Sequence, residues 1–249
     1  MAFTIALAGK GGVGKTTIAG MLIKYMVKHQ KTPILAVDAD SNYNLNEVLG
    51  VCVTDTLGNA REDMKKGTVP PGMTKDIFIS MRLEEAVIEA SDYDLIVMGQ
   101  PEGTGCYCAA NTLLVNCIDR LSDNYPYIVV DNEAGMEHIS RLTTKNVDVL
   151  IIVGDASRRG LQAAFRISEL ASELHIGVAK KYLILNQVKE DIPEEMKRLI
   201  AEQGIELAGV VPEDGVLYDY DAKGLPTIGI PEDNPAVQAA FTIFDGIFN

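Results

Sequence analysis

Two short stretches carry residue types whose order and spacing could do chemistry. GKGGVGKTT, residues 9 to 17, follows an apolar run and leads into a helical one. Gly9, Gly11, Gly12 and Gly14 let successive backbone N–H groups converge on an anion without a Cβ in the way, and a helix start adds partial positive charge there. The stretch fits the phosphate-cradling pattern G-x-x-x-x-G-K-[ST]: Gly11, Gly12, Val13, Gly14, Lys15, Thr16 and Thr17 surround the phosphates. Lys15 is expected to reach the β- and γ-phosphates, and the Thr16 hydroxyl to ligate Mg²⁺. A mere glycine-rich turn would not need Lys and Thr in this register.

The second stretch, PEGTGCYCAAN, places Cys106 and Cys108 two residues apart. In an extended segment side chains at that spacing point to one side, so both sulfurs could meet one ion. Thiolates are soft donors suited to Zn²⁺, Ni²⁺ or iron–sulfur centres, and two of them leave such an ion half-coordinated. A twofold axis between two copies would supply the other pair and couple metal affinity to dimerisation. The alternative is two buried small hydrophobes, but Gly103, Gly105 and Asn111 favour an exposed loop. Cys52, in VLGVCV, and Cys117, in NTLLVNCIDRL, read as packing residues, and His138 as a satisfied histidine.

The elements that must hold these stretches are legible as runs. TIALA, PILAVD, YDLIVMG, YPYIVVD, VDVLIIVGD and KYLILNQV are short, β-branched-rich and mostly end in Asp or Gly. Amphipathic segments such as TTIAGMLIKYMVKH, NTLLVNCIDRLSD, LQAAFRISELASELH and PEEMKRLIAEQ lie between them. The alternation predicts an α/β fold, a mostly parallel sheet covered by helices on both faces, in one domain over residues 1–249. Residues 54 to 90 read as less regular, interrupted by GTVPPGM. A net charge of −13 makes nucleic acid and membrane poor partners. The apolar start MAFTIALAGKGG lacks a basic n-region and a cleavage site, so a cytoplasmic location is expected, where four cysteines stay reduced.

Lys10, an extra lysine early in the glycine-rich loop, makes the stretch resemble the deviant Walker A ATPases, the family of MinD- and ParA-like proteins and of metallocentre assembly ATPases. That resemblance implies an ATPase using ATP/ADP and Mg²⁺, and a homodimer in which Lys10 reaches the partner's nucleotide. It implies that VDADSNYN is switch I, with Asp40 positioning the attacking water, although Ser41 stands where proline is usual. YIVVDNEAGMEH resembles switch II, with Asp131 as the metal-site carboxylate and Gly135 donating to the γ-phosphate. Asn186 and Pro212, Glu213 and Asp214 match the places where the family holds adenine. Together, GKGGVGKTT, GCYCAAN and DNEAGMEHISR resemble the CooC-type nickel-insertion branch. That implies Ni²⁺ or Zn²⁺ on Cys106 and Cys108, dimerisation on ATP or metal binding, and a client nickel enzyme, carbon monoxide dehydrogenase or acetyl-CoA synthase. The competing readings are a MinD/ParA-like positioning ATPase, disfavoured by the lack of Lys or Arg after Lys223, and an iron–sulfur scaffold ATPase.

Overall fold

The computed structural model describes residues 2–65, 67, 69–100, 107–135, 146–173 and 177–248. Its strands form one eight-stranded sheet: β1 (Phe3–Gly9), β2 (Ile34–Ala39), β3 (Val87–Glu89), β4 (Tyr93–Val97), β5 (Tyr127–Asn132), β6 (Asn146–Gly154), β7 (Gly177–Val188) and β8 (Glu206–Pro212). The order is β3-β4-β2-β5-β1-β6-β7-β8. Every pairing is parallel except the edge pair β3–β4, so the expected α/β architecture holds.

Side chains alternate across this sheet and feed two cores. Ile5 and Leu7 of β1 and Ile151 and Val153 of β6 face the core built with α1 (Lys15–Lys28), α2 (Leu45–Leu49) and α9 (Pro235–Phe248). Ala6, Ala8, Leu150 and Ile152 face the opposite core. There they meet α3 (Leu57–Lys65), α4 (Lys75–Glu85), α5 (Tyr107–Leu121), α6 (Arg158–Glu173) and α7 (Glu194–Glu202). A central strand buried on both faces explains why these runs are continuously apolar; each fully buried Leu or Ile contributes about 1.5–3 kcal/mol.

α1 carries the phosphate loop and is anchored at its far end. The Tyr25 hydroxyl donates to Asp245 Oδ1 of α9 at 2.8 Å, its ring stacks on His29 at 4.2 Å, and Phe241 meets it edge-on. Lys24 Nζ donates to the carbonyls of Ile228 and Ile230 beside the 3₁₀ turn Thr227–Gly229.

Residues 54 to 90 differ from the irregular reading. α3 and α4 form there because Thr56 Oγ1 accepts from Asn59 N and Thr74 Oγ1 from Ile77 N, while Leu57, Ala60, Phe78 and Leu83 are buried. Arg82 joins the two helices through Asp55 at 2.7 Å and Asp63 at 2.9 Å. Two cysteine readings separate. Cys117 is buried on α5 as expected, whereas Cys52 is exposed: past the left-handed Gly50 its neighbours Val51 and Val53 pack against the core and Cys52 between them is left outside.

Candidate functional site

In open α/β sheets ligands bind beyond the carboxyl ends of the strands, where the strand order reverses. Here that point is the end of β1, from which the chain crosses to β2 on one side while β6, β7 and β8 extend on the other. Gly9 closes β1, and a Cβ there would lie 2.3 Å from Val153 O of β6, so glycine alone lets the loop leave the sheet. Gly14 has φ +80°, and a Cβ there would sit 2.4 Å from Asn186 Nδ2. The same carboxamide donates to Val13 O at 2.9 Å and fastens the loop to the end of β7.

The loop opens a cavity of about 630 Å³, within the size range of small-molecule sites. Gly11, Gly12, Gly14, Lys15, Thr16, Thr17, Asp40, Asn186, Pro212, Glu213 and Asp214 all line it. Val13 does not; its side chain is buried and its carbonyl is held by Asn186. Five carboxylates, Asp40, Glu47, Glu213, Asp214 and Asp221, line the cavity against one cation, Lys15. A polyphosphate therefore needs the loop amides, the start of α1 and Lys15 together to overcome that repulsion.

Of the carboxylates near the phosphate end, three stand in different states. Asp38 is wholly buried; one oxygen accepts from Asp40 N at 3.1 Å, the other from Asn44 N at 2.9 Å and Leu45 N at 2.8 Å. It organises the loop after β2 and starts α2, but it has no free face. Burial, and then neighbouring Asp131, push its pKa up to about 7 against the pull of those N–H groups. Asp131 is buried at the end of β5; burial raises it to about 6, opposed by a hydrogen bond from Thr16 and by Lys15. Its Oδ1 has no hydrogen-bond partner. A buried carboxylate oxygen without a partner, on a side chain whose carboxylate accepts from the Thr16 hydroxyl of the phosphate loop, fits a hard divalent cation. Asp40 is half-buried and lines the cavity; its Oδ1 accepts from Asn42 N at 2.8 Å and its carbonyl from Tyr43 N at 3.2 Å. That turn closes with Ser41 buried within it, so the missing proline does not leave the loop open.

Lys15 is buried and makes one long hydrogen bond, Nζ to Lys10 O at 3.4 Å. Burial pushes the ammonium down, and Asp131, Asp40 and Glu133 pull it back.

Lys10 and Gly135 lie outside the first cavity; both line a second one of about 410 Å³ with Arg159 and Arg166 of α6. The Gly135 N–H donates to Gly9 O at 3.4 Å. Asp214 caps α8 (Gly215–Ala222), its Oδ1 accepting from Val216 N and Leu217 N. The far wall is completed by Leu217, Tyr218, Leu225 and Thr227, which the sequence reading missed; the capping Asp214 before a run of Val, Leu and Tyr was the available signal. Cys106 and His138 lie outside the described residues. Cys108 falls in the first turn of α5, so the extended geometry assumed for the cysteine pair does not hold at that residue. Among the described residues no cluster of three or more His, Cys, Asp or Glu is arranged as a metal site.

Comparison with known proteins agrees with this geometry. Residues 4–228 match the CobQ/CobB/MinD/ParA nucleotide binding domain. An uncharacterised ATP-binding protein of Methanocaldococcus jannaschii is 44% identical over 249 residues, spanning 98% of both chains. The carbon monoxide dehydrogenase accessory protein CooC of Rhodospirillum rubrum is 31% identical over 237 residues, covering 89% of this chain and 88% of its own. Among solved structures, the septum site-determining protein MinD of Pyrococcus horikoshii, complexed with Mg-ADP, superposes with a TM-score of 0.73 at 22% identity, covering 100% and 97% of the two chains. With its glycine loop, buried lysine and Asp40 at one cavity, the chain belongs to the CobQ/CobB/MinD/ParA family of P-loop ATPases.

Proposed function

We propose that this ATPase is Mg²⁺-dependent, that two copies close around ATP, and that hydrolysis drives the delivery of nickel to a client enzyme, carbon monoxide dehydrogenase or acetyl-CoA synthase. The observation that carries the catalytic half is the buried Lys15 beside the unpartnered Oδ1 of Asp131. Thr16 and Asp131 would hold Mg²⁺, which supplies charge neutralisation at the phosphates. Lys15 and the loop amides hold the β- and γ-phosphates. Asp40 orients the attacking water: Asp38 has both oxygens engaged by backbone N–H groups and Asp131 is bound to Thr16, which leaves Asp40 as the one of these three that lines the cavity. Asn186, Pro212 and Glu213 form the wall for adenine.

The nickel half is supported by the C-x-C pair Cys106 and Cys108 and by the likeness to CooC. Nickel is cargo here. Two thiolates per chain would share an ion across the dimer axis, and nucleotide turnover would change whether both pairs reach it. Against a membrane-positioning role, the apolar residues Val237, Phe241, Phe244 and Ile247 of α9 are buried in the core and are not offered to a lipid surface.

The test is reconstitution of nickel-free client enzyme with metal-loaded protein, with ATP or a non-hydrolysable analogue. Hydrolysis-dependent activation by wild type, lost in Cys106→Ser/Cys108→Ser together with bound metal, is the expected result. Metal content unchanged in that variant would remove the thiols from the site.

A further inference from the structure

Among the described residues, the second cavity gathers three cations, Lys10, Arg159 and Arg166. Arg159 and Arg166 lie two turns apart on one face of α6, about 10 Å along the helix axis. Lys10 of the phosphate loop and Gly135 stand beside them, with Gln162, Ala163 and Ile167 between. Lys10, Arg159 and Arg166 are exposed, and none of the three forms an ion pair with a carboxylate of the described residues. The spread is too wide for one phosphate and suits a second surface.

What that surface is follows from its neighbour. The two cavities share their dividing wall: Lys10 and Gly135 face one, while Gly11 and Ala134, the adjoining residues, face the other. One molecule thus carries a basic patch and, across the phosphate loop, a cavity rimmed by five carboxylates. Two complementary patches side by side are what an isologous contact requires, since the patch of each copy then meets the rim of the other. Two chains of net charge −13 repel at a distance, so close approach needs cations at the contact.

We propose that Arg159 and Arg166 on α6 are the electrostatic clamp of the homodimer, each pair seating on the acidic, triphosphate-bearing rim of a second copy's nucleotide cavity. This deepens the dimer reading above and rests on it. It adds a division of labour: the arginines determine whether two copies associate, whereas Lys10 is left to the phosphates. Because Gly135 N–H is bonded to Gly9 O at the base of the patch, a copy seated there also bears on Gly135.

The experiment is sedimentation equilibrium of the full chain with Mg²⁺ and AMPPNP, alongside titration of a fluorescent ATP analogue at concentrations where the chain is monomeric. Wild type is expected to dimerise, with its dimer Kd rising about tenfold or more between about 50 and about 300 mM KCl. Arg159→Gln/Arg166→Gln is expected to raise the dimer Kd at least about tenfold at low salt and to flatten its salt dependence, with monomer affinity for nucleotide unchanged. Arg159→Lys/Arg166→Lys, which keeps the charge, should retain most of the dimer and shows that the fold tolerates change at both sites. If wild type dimerises and the Gln variant matches it in Kd and salt slope, the clamp is wrong while the dimer stands. If wild type stays monomeric with AMPPNP, the dimer reading itself falls, and the clamp with it.

Discussion

Gly14→Ala tests whether the phosphate loop is held in place by its neighbour as well as by its own backbone. A non-glycine residue at φ +80° costs about 1–2 kcal/mol. The new Cβ would also lie 2.4 Å from Asn186 Nδ2 and displace the carboxamide that donates to Val13 O. Losing that bond adds about 0.5–1.5 kcal/mol, giving a total near 2–3 kcal/mol. For a chain of this size that is a fall in Tm of about 4–12 °C. Urea unfolding without nucleotide measures it, and a cycle with Asn186→Ala separates the two parts. In the Asn186→Ala background the clash and the hydrogen bond are both gone, so Gly14→Ala should cost only the backbone part, about 1–2 kcal/mol. An equal cost in both backgrounds would refute the coupling of loop and β7. Nucleotide affinity should fall in step, because a displaced Val13–Gly14 segment no longer aims its N–H groups together.

Two further outcomes follow from the carboxylates. Asp131 binds its proton more tightly when folded, up to about 6, so its contribution to stability is present below the unfolded value and is lost as pH rises through about 6. Asp131→Asn removes that loss. It should stabilise the nucleotide-free chain by about 1–3 kcal/mol at pH 7.5 and by much less near pH 4, read from urea midpoints, while Mg²⁺-dependent nucleotide binding is lost. A variant no more stable than wild type at pH 7.5 would show that the charge of Asp131 is already compensated. Asp40→Asn should keep nucleotide binding and lower single-turnover hydrolysis about a hundredfold or more; a near-normal rate would remove Asp40 from water orientation.

How much of this was legible depends on whether the deciding contacts are local in sequence. The glycine loop was, because Gly, Lys and Thr in register define it within nine residues. The sheet was legible because strands buried on both faces must be apolar throughout, and Cys117 because Leu114, Cys117 and Ile118 share one buried helical face. α3 and α4 were not, since their stability comes from a few buried residues and from Arg82 reaching Asp55 across the chain. Cys52 sits in an apolar string, and only the structure shows that Val51 and Val53 on either side pack against the core while Cys52 is left outside. Asp214 was readable as a cavity residue but not as the cap of α8, which depends on where the next helix starts. The basic patch was invisible for the same reason: Lys10 and Arg166 meet only because β1 and β6 are neighbours.

Asp38 and Asp131 show how the sheet itself creates the chemistry. They pair across β2 and β5 in register, each at or next to the last residue of its strand. Parallel strands ending level place both carboxyls out of water; burial raises both pKa values, with Asp131 adding to the rise at Asp38 and Asp40 to the rise at Asp131. Such an arrangement lowers stability, and backbone N–H groups offset it only at Asp38, whose two oxygens accept three of them. Asp131 keeps an oxygen without a partner. On the function proposed above, the asymmetry would divide the roles: the satisfied carboxylate shapes the loop that carries Asp40, and the unsatisfied one would meet the cation that accompanies the nucleotide. A site built this way gains most when it is filled, so the stability of the chain and its occupancy by Mg²⁺ and nucleotide should rise together.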